Sequence, residues 1–171
     1  MRSGDMKKYL APAICLALLP SLALAAPDFT GIWVRDNAKS DPNNYPVYWL
    51  TRVTPGAGGF GNQETVVEVK QSATALQVIN PTRPFRSYVL DGRPHETLTD
   101  TGLQKATITA ATQDDGLTIT TAQPYGGMPG NVSATFKESW SLSADGRVLT
   151  VTTVRSLPAK DQVSRDIFNR R

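Results

Sequence analysis

The 171-residue chain has one cysteine and one histidine. A single cysteine excludes an intramolecular disulfide, and one Cys with one His cannot supply a zinc site of the usual nitrogen and sulfur type. A lone histidine, without a Gly-x-Ser-x-Gly elbow, also leaves a hydrolase triad unsupported. Paired carboxylates are missing too, since Asp114-Asp115 reads as a turn. The run Gly56-Ala57-Gly58-Gly59-Phe60-Gly61 lacks the Lys-Ser/Thr and the helix that a phosphate loop needs, so it reads as a flap or a flexible loop. The basic tail residues Arg165, Arg170 and Arg171 come without an aromatic platform for single-stranded nucleic acid. Cofactors and metals are therefore expected to be absent.

Only one long apolar run is present, at residues 9–22, and Pro12 and Pro20 interrupt it. A membrane-spanning helix needs roughly 20 apolar residues. Lys7 and Lys8 precede the run, and Ala23-Leu24-Ala25 follows it as a small-x-small site, so residues 1–25 read as a secretory signal peptide cut before Ala26. This expectation implies an exported protein, periplasmic or secreted, with no integral span after cleavage. Cleavage removes Arg2, Lys7, Lys8 and Asp5, taking 18 basic and 15 acidic residues to 15 and 14. The net charge falls from +3 to +1, and the only thiol is lost. With that, the hint of a nucleic-acid partner disappears. Removing 25 of 171 residues leaves 146, a domain 26–171 large enough for one core without disulfides. A thiol-free exported domain of this size suits a bacterial periplasm.

Helical periodicity is absent, and period-2 alternation recurs. The clearest case is 132–142. Val132, Ala134, Phe136, Glu138, Trp140 and Leu142 share one face there, and Ser and Thr with Lys137 fill the other. Segments 117–120 and 148–151 also read as strands. Weaker candidates are 31–35, 47–53, 65–71, 74–79, 85–90, 103–111 and 163–168. Asp91-Gly92, Asp115-Gly116 and Asp145-Gly146 are hairpin signals, expected as turns with positive φ at both central residues. The predicted fold is all-β: an antiparallel up-and-down meander of about 8–10 strands, closed as a barrel or stacked as a sandwich.

Several short motifs then align in order. They are Phe29-Thr30-Gly31-Ile32-Trp33, Lys39-Ser40-Asp41-Pro42, Tyr88-Val89-Leu90-Asp91-Gly92-Arg93, residues 138–151 and the closing Phe168-Asn169-Arg170. The mature chain thereby resembles small exported bacterial lipocalin-like (calycin) β-barrel proteins. That resemblance implies a barrel whose first-strand Trp33 closes one end under an Arg of the last strand. Arg170 is the first candidate for that arginine and Arg165 the second.

Glu138 is the most informative residue, because a carboxylate on an apolar face is costly unless it is paired or solvated. If the Asp145-Gly146 turn pairs Leu142 with Leu149, Glu138 faces Thr153 and lies diagonal to Arg155. Two roles fit: a structural ion pair at a barrel end, or a polar anchor in a ligand cavity. Tyr88, Phe136 and Trp140 are candidates to line that cavity, and Tyr48 and Trp49 are further aromatics that suit it. The ligand-binding set is thus Tyr88, Phe136, Glu138, Trp140 and Arg155, with no catalytic residue assigned. His95 beside its turn reads as solvated. The expected function is non-catalytic binding of a small, mainly apolar ligand. The alternatives are a packed structural or interaction module of the cell envelope and a cofactor-free enzyme using an inward Glu.

Overall fold

The computed structural model describes residues 26–41, 65–80, 85–98, 104–113, 115–124, 133–157 and 160–171. The expected signal peptide, the 47–53 strand with Tyr48 and Trp49, and the 56–61 loop lie outside these residues. Among the described residues ten strands are formed: β1 (Gly31–Arg35), β2 (Val66–Gln71), β3 (Ala75–Ile79), β4 (Arg86–Val89) and β5 (Pro94–Leu98), then β6 (Lys105–Gln113), β7 (Gly116–Pro124), β8 (Ser133–Leu142), β9 (Val148–Ser156) and β10 (Asp161–Arg170). No helix occurs among the described residues, and so none is long and apolar enough to cross a membrane.

All ten strands form one antiparallel sheet in the order β4-β3-β2-β1-β10-β9-β8-β7-β6-β5. First and last strands pair, with Trp33 opposite Arg170 and Arg35 opposite Phe168. The meander therefore curls into a nearly closed barrel. Among the described residues its seam lies between β4 and β5, which follow one another in the chain without pairing. Across the seam β4 approaches β6, and the Gly92 amide donates to the Ala110 carbonyl at 3.0 Å.

Alternation along each strand sends one face inward. At one end of the barrel that face is apolar and closely packed. Phe29, Trp33, Leu76, Leu117, Trp140, Leu149 and Phe168 are almost without solvent exposure there. Phe29 and Trp140 meet edge to face, with ring centroids 5.8 Å apart. Aromatic side chains of this size bury on the order of 150–250 Å² each, which contributes about 4–6 kcal/mol apiece at roughly 25 cal/mol/Å².

The turns differ from expectation. Asp91-Gly92 joins two unpaired strands and makes no hairpin. Gln113 pairs with Gly116, so Gly116 belongs to β7 and is not a central turn residue. Its place in the ladder follows from close packing, since a side chain at Gly116 would collide with the Trp140 carbonyl of β8. In the β8–β9 turn the Gly146 amide bonds the Ser143 carbonyl at 2.8 Å, and the positive φ of 67° falls at Gly146 alone. A type I′ turn needs two such residues. The strand β5 was not expected. It opens on Pro94, all five of its residues are exposed, and His95 lies within it. A strand with no buried face carries no alternation to read, and proline is tolerated there because the strand is an edge.

Candidate functional site

The packed end is sealed as the motif resemblance implies. The Arg170 guanidinium lies 4.5 Å from the centroid of the Trp33 ring. It also donates to the carbonyls of Gly146 (2.8 Å), Thr30 (2.9 Å) and Asp28 (3.4 Å). The Trp33 indole donates to the Phe29 carbonyl at 2.9 Å. Gly31 explains the glycine of the motif. Its φ is 152°, and a Cβ there would lie 3.3 Å from Arg170 Nη1. Arg165, the second candidate, is exposed.

Beyond this seal the inward face turns polar. The β8–β9 register is the expected one: Leu142 opposite Leu149, Trp140 opposite Val151, Glu138 opposite Thr153 and Phe136 opposite Arg155. Glu138 sits mid-strand, away from the barrel end, and is 3% exposed. Its Oε2 accepts the Trp140 indole N–H at 3.1 Å. Tyr88 of β4, fully enclosed, comes near enough to feel the charges of both Glu138 and Arg86. Burial first, then the Glu138 carboxylate, hold its phenol well above the ordinary value, and Arg86 partly opposes them. Trp140 itself is in the apolar core, against Phe29. Arg155 lays its guanidinium 5.4 Å from the Phe136 ring centroid.

A second buried carboxylate lies on β10. Asp166 of β10 has no exposed surface and accepts from Arg35 Nε at 2.7 Å. The same guanidinium reaches Asn37 Oδ1 at 2.6 Å. The pair ties β1 to β10 where the segment 36–41 turns back along β10. There Ser40 Oγ receives the Ile167 amide at 2.9 Å, and Asp41 Oδ2 receives the Arg165 amide at 2.8 Å.

Where β9 and β10 approach their connecting turn, a recess of about 250 Å³ opens. Thr153 and Arg155 line it from β9. Lys160 lines it from the turn, and Asp161, Gln162, Val163 and Ser164 from β10. Thr153 Oγ1 and Gln162 Oε1 are buried there without a hydrogen-bond partner. Of the five expected ligand residues, Arg155 alone lines this recess, with Phe136 directly beneath it. Glu138 and Tyr88 form the polar layer behind, and Trp140 packs in the core. Thr153 was expected only as the residue facing Glu138, and Gln162, Arg35 and Asp166 went unrecognised in the sequence. Among the described residues, no three of His, Cys, Asp and Glu are grouped to hold a metal ion.

No protein-family model matches the chain, and no curated protein matches it. Among solved structures it is similar to the crystal structure of zebrafish ileal bile acid-binding protein complexed with cholic acid. The TM-score is 0.54 at 14% identity, covering 84% of this chain and 98% of that one. At that identity the likeness speaks to architecture, and with the strand order above it shows a calycin-like, nearly closed β-barrel.

Proposed function

We propose that the protein is an exported, non-catalytic barrel that binds a small, mainly apolar molecule carrying one polar end. The observation that carries this reading is the recess of about 250 Å³ over the paired ends of β9 and β10, lined by Thr153, Arg155, Lys160 and Gln162. Its lining joins polar and cationic side chains to the apolar Val163, which suits the polar end of a ligand. The recess is smaller than the roughly 300–1,000 Å³ of typical ligand pockets. It accordingly takes the head of a ligand. Phe136 and Arg155 line the way inward, with Glu138 and Tyr88 behind them, and Trp140 supports this layer through Glu138. A fold neighbour complexed with cholic acid supports a ligand-carrying barrel.

Native mass spectrometry of the protein purified from its own cell envelope tests the proposal. The expected spectrum shows a chain beginning at Ala26 with a small molecule retained. A chain that carries nothing, and whose tryptophan fluorescence responds to no envelope lipid extract, overturns the ligand reading. A chain that retains residues 1–25 overturns export by cleavage.

One set of observations favours a packed interaction module. Phe85 and Val89 at β4 and Leu98 on β5 are 54%, 46% and 57% exposed beside the seam. That reading expects a co-purifying protein and no retained small molecule.

A further inference from the structure

The seam leaves two sheet edges open, and the ladder registers show which main-chain groups lie on them. In an antiparallel ladder, successive residues of a strand turn their N–H and C=O to opposite neighbours. The Ser143 amide bonds the Val148 carbonyl at 2.8 Å, which continues the β8–β9 register and makes the odd-numbered residues of β8 face β9. The even-numbered ones therefore face β7, where Trp140 meets Leu117 and Glu138 meets Ile119. Carried through β7 and β6, the same alternation bonds Ala106 to Thr97 and Ile108 to His95. Pro94, Glu96 and Leu98 are thus left with their main chain facing the seam. Pro94 fits this place, because it lacks a donor and no ladder bond is asked of it there. On the other lip the Leu90 amide bonds the Thr74 carbonyl at 2.8 Å, so Ser87 and Val89 turn their main chain to the seam.

Of the two edges, β5 is the more accessible. All five of its residues are exposed, and no strand among the described residues pairs with its seam side. That side offers the amides of Glu96 and Leu98 and the carbonyls of Pro94, Glu96 and Leu98. Main-chain groups at this spacing have one complement, a second extended strand. The side chains of these three residues share the outer face with Lys105, since Ala106 and Ala110 at the alternate positions of β6 are buried. This face is apolar at both ends of the edge: Leu98 is exposed at one, and Val89, where β4 runs into the link to β5, at the other. Between them Glu96 already holds Lys105 at 3.0 Å, so a charge placed opposite Glu96 would gain no partner of its own. We propose that the free edge of β5 receives an extended segment of another protein, antiparallel to β5, with a neutral β-forming residue opposite Glu96 and apolar residues two positions to either side. The donor missing at Pro94 keeps the edge short, which limits open-ended sheet growth. The proposal goes beyond the ligand reading and does not rest on the recess.

The probe is the synthetic peptide acetyl-Lys-Val-Thr-Thr-Thr-Val-Lys-amide, titrated into isotope-labelled protein while the backbone amide resonances are followed. Its central Thr lies opposite Glu96 and its two Val opposite Pro94 and Leu98. The expected shifts fall on Glu96, Leu98 and their neighbours beside the seam, with the amides of β8 and β9 unmoved. N-methylation of the central Thr removes its bond to the Glu96 carbonyl and should weaken binding about tenfold. N-methylation of the two flanking Thr, whose amides point away from β5, should change binding less than about twofold. On the protein side, Glu96→Pro removes one donor and should weaken the peptide about tenfold with little change in melting temperature, because no bond to β6 is lost. Glu96→Gln keeps the donor and should bind like the unaltered protein. Equal or reversed sensitivity to the two N-methylation patterns overturns the proposal, as does an absence of β5 shifts at millimolar peptide. Shifts of β5 that grow with protein concentration alone assign the edge to a second copy and overturn it too. The peptide comparisons need only the unaltered protein, so a poorly folding Glu96→Pro does not blunt them.

Discussion

At Asp166 a carboxylate without exposed surface depends on Arg35 for charge compensation. Breaking such a pair from one side costs more than the pair contributes, because the remaining charge stays buried. Arg35→Met is therefore expected to destabilise the fold by about 3 kcal/mol, measured by urea unfolding. The double change Arg35→Met with Asp166→Leu should recover most of that loss. Tyr88 offers a test by pH. Its phenol is held above the ordinary 10.0 by burial, chiefly, and by Glu138. A raised pKa in the fold means that this contribution is complete below about pH 10 and is lost as pH rises beyond it. Alkaline unfolding should accordingly shift to higher pH in Tyr88→Phe, with no change near neutrality. Glu138 was legible in the sequence because every neighbour on its face is apolar or aromatic. Asp166 was not, although it shares a face with Phe168. Ile167 beside it is also buried, under the Ser40 clasp on the outside of β10. With both faces covered, the alternation that exposes an inward charge disappears.

At the scale of elements, the β8–β9 pair was readable, and its register was one of two that the turn left open, with Glu138 beside Thr153 or beside Val151; the structure takes the first. Strict alternation in β8 excludes one-residue slips, which would turn its apolar face outward, and the length of the turn selects among the rest. The turn chemistry was less readable. Asp-Gly marks a change of direction but does not say which residue enters the ladder, and for Asp115-Gly116 tertiary packing decides. Gly116 passes so close to the Trp140 carbonyl that no side chain fits, and the obstacle is backbone, which cannot move aside. Gly116→Ala is expected to cost about 2 kcal/mol or more, seen as a lowered melting temperature. A change confined to exposed Ser87 of β4 should leave it unaltered. Strand β5 was invisible for the opposite reason. Its residues are all exposed and paired on one side only, so neither burial nor hydrophobic pattern marked it.

Across the whole molecule the barrel is uneven in two ways that the one-dimensional pattern cannot show. One end is packed with aromatic and aliphatic side chains and sealed by Arg170 on Trp33, and the buried carboxylates are held singly, Asp166 by Arg35 and Glu138 by the Trp140 indole. The sheet is also continuous everywhere except between β4 and β5. Local opening should follow the seam, because free energies of opening track buried apolar contact and shared hydrogen bonds. β5 has no buried residue and one neighbour, whereas β8 and β9 are paired on both sides and carry core residues along most of their length. Amide hydrogen exchange is expected to proceed first in β5, then in β4, and last in β8 and β9. The difference should span at least about 3 kcal/mol of opening free energy, against a total of about 5–15 kcal/mol for domains of this kind. Uniform protection around the sheet would instead mean that β4 and β5 pair in solution and that the barrel closes fully. A ligand seated in the recess over β9 and β10 should slow exchange at the ends of those strands near residues 153–156 and 161–164. It should leave the seam unchanged, since the recess and the seam lie on different strands.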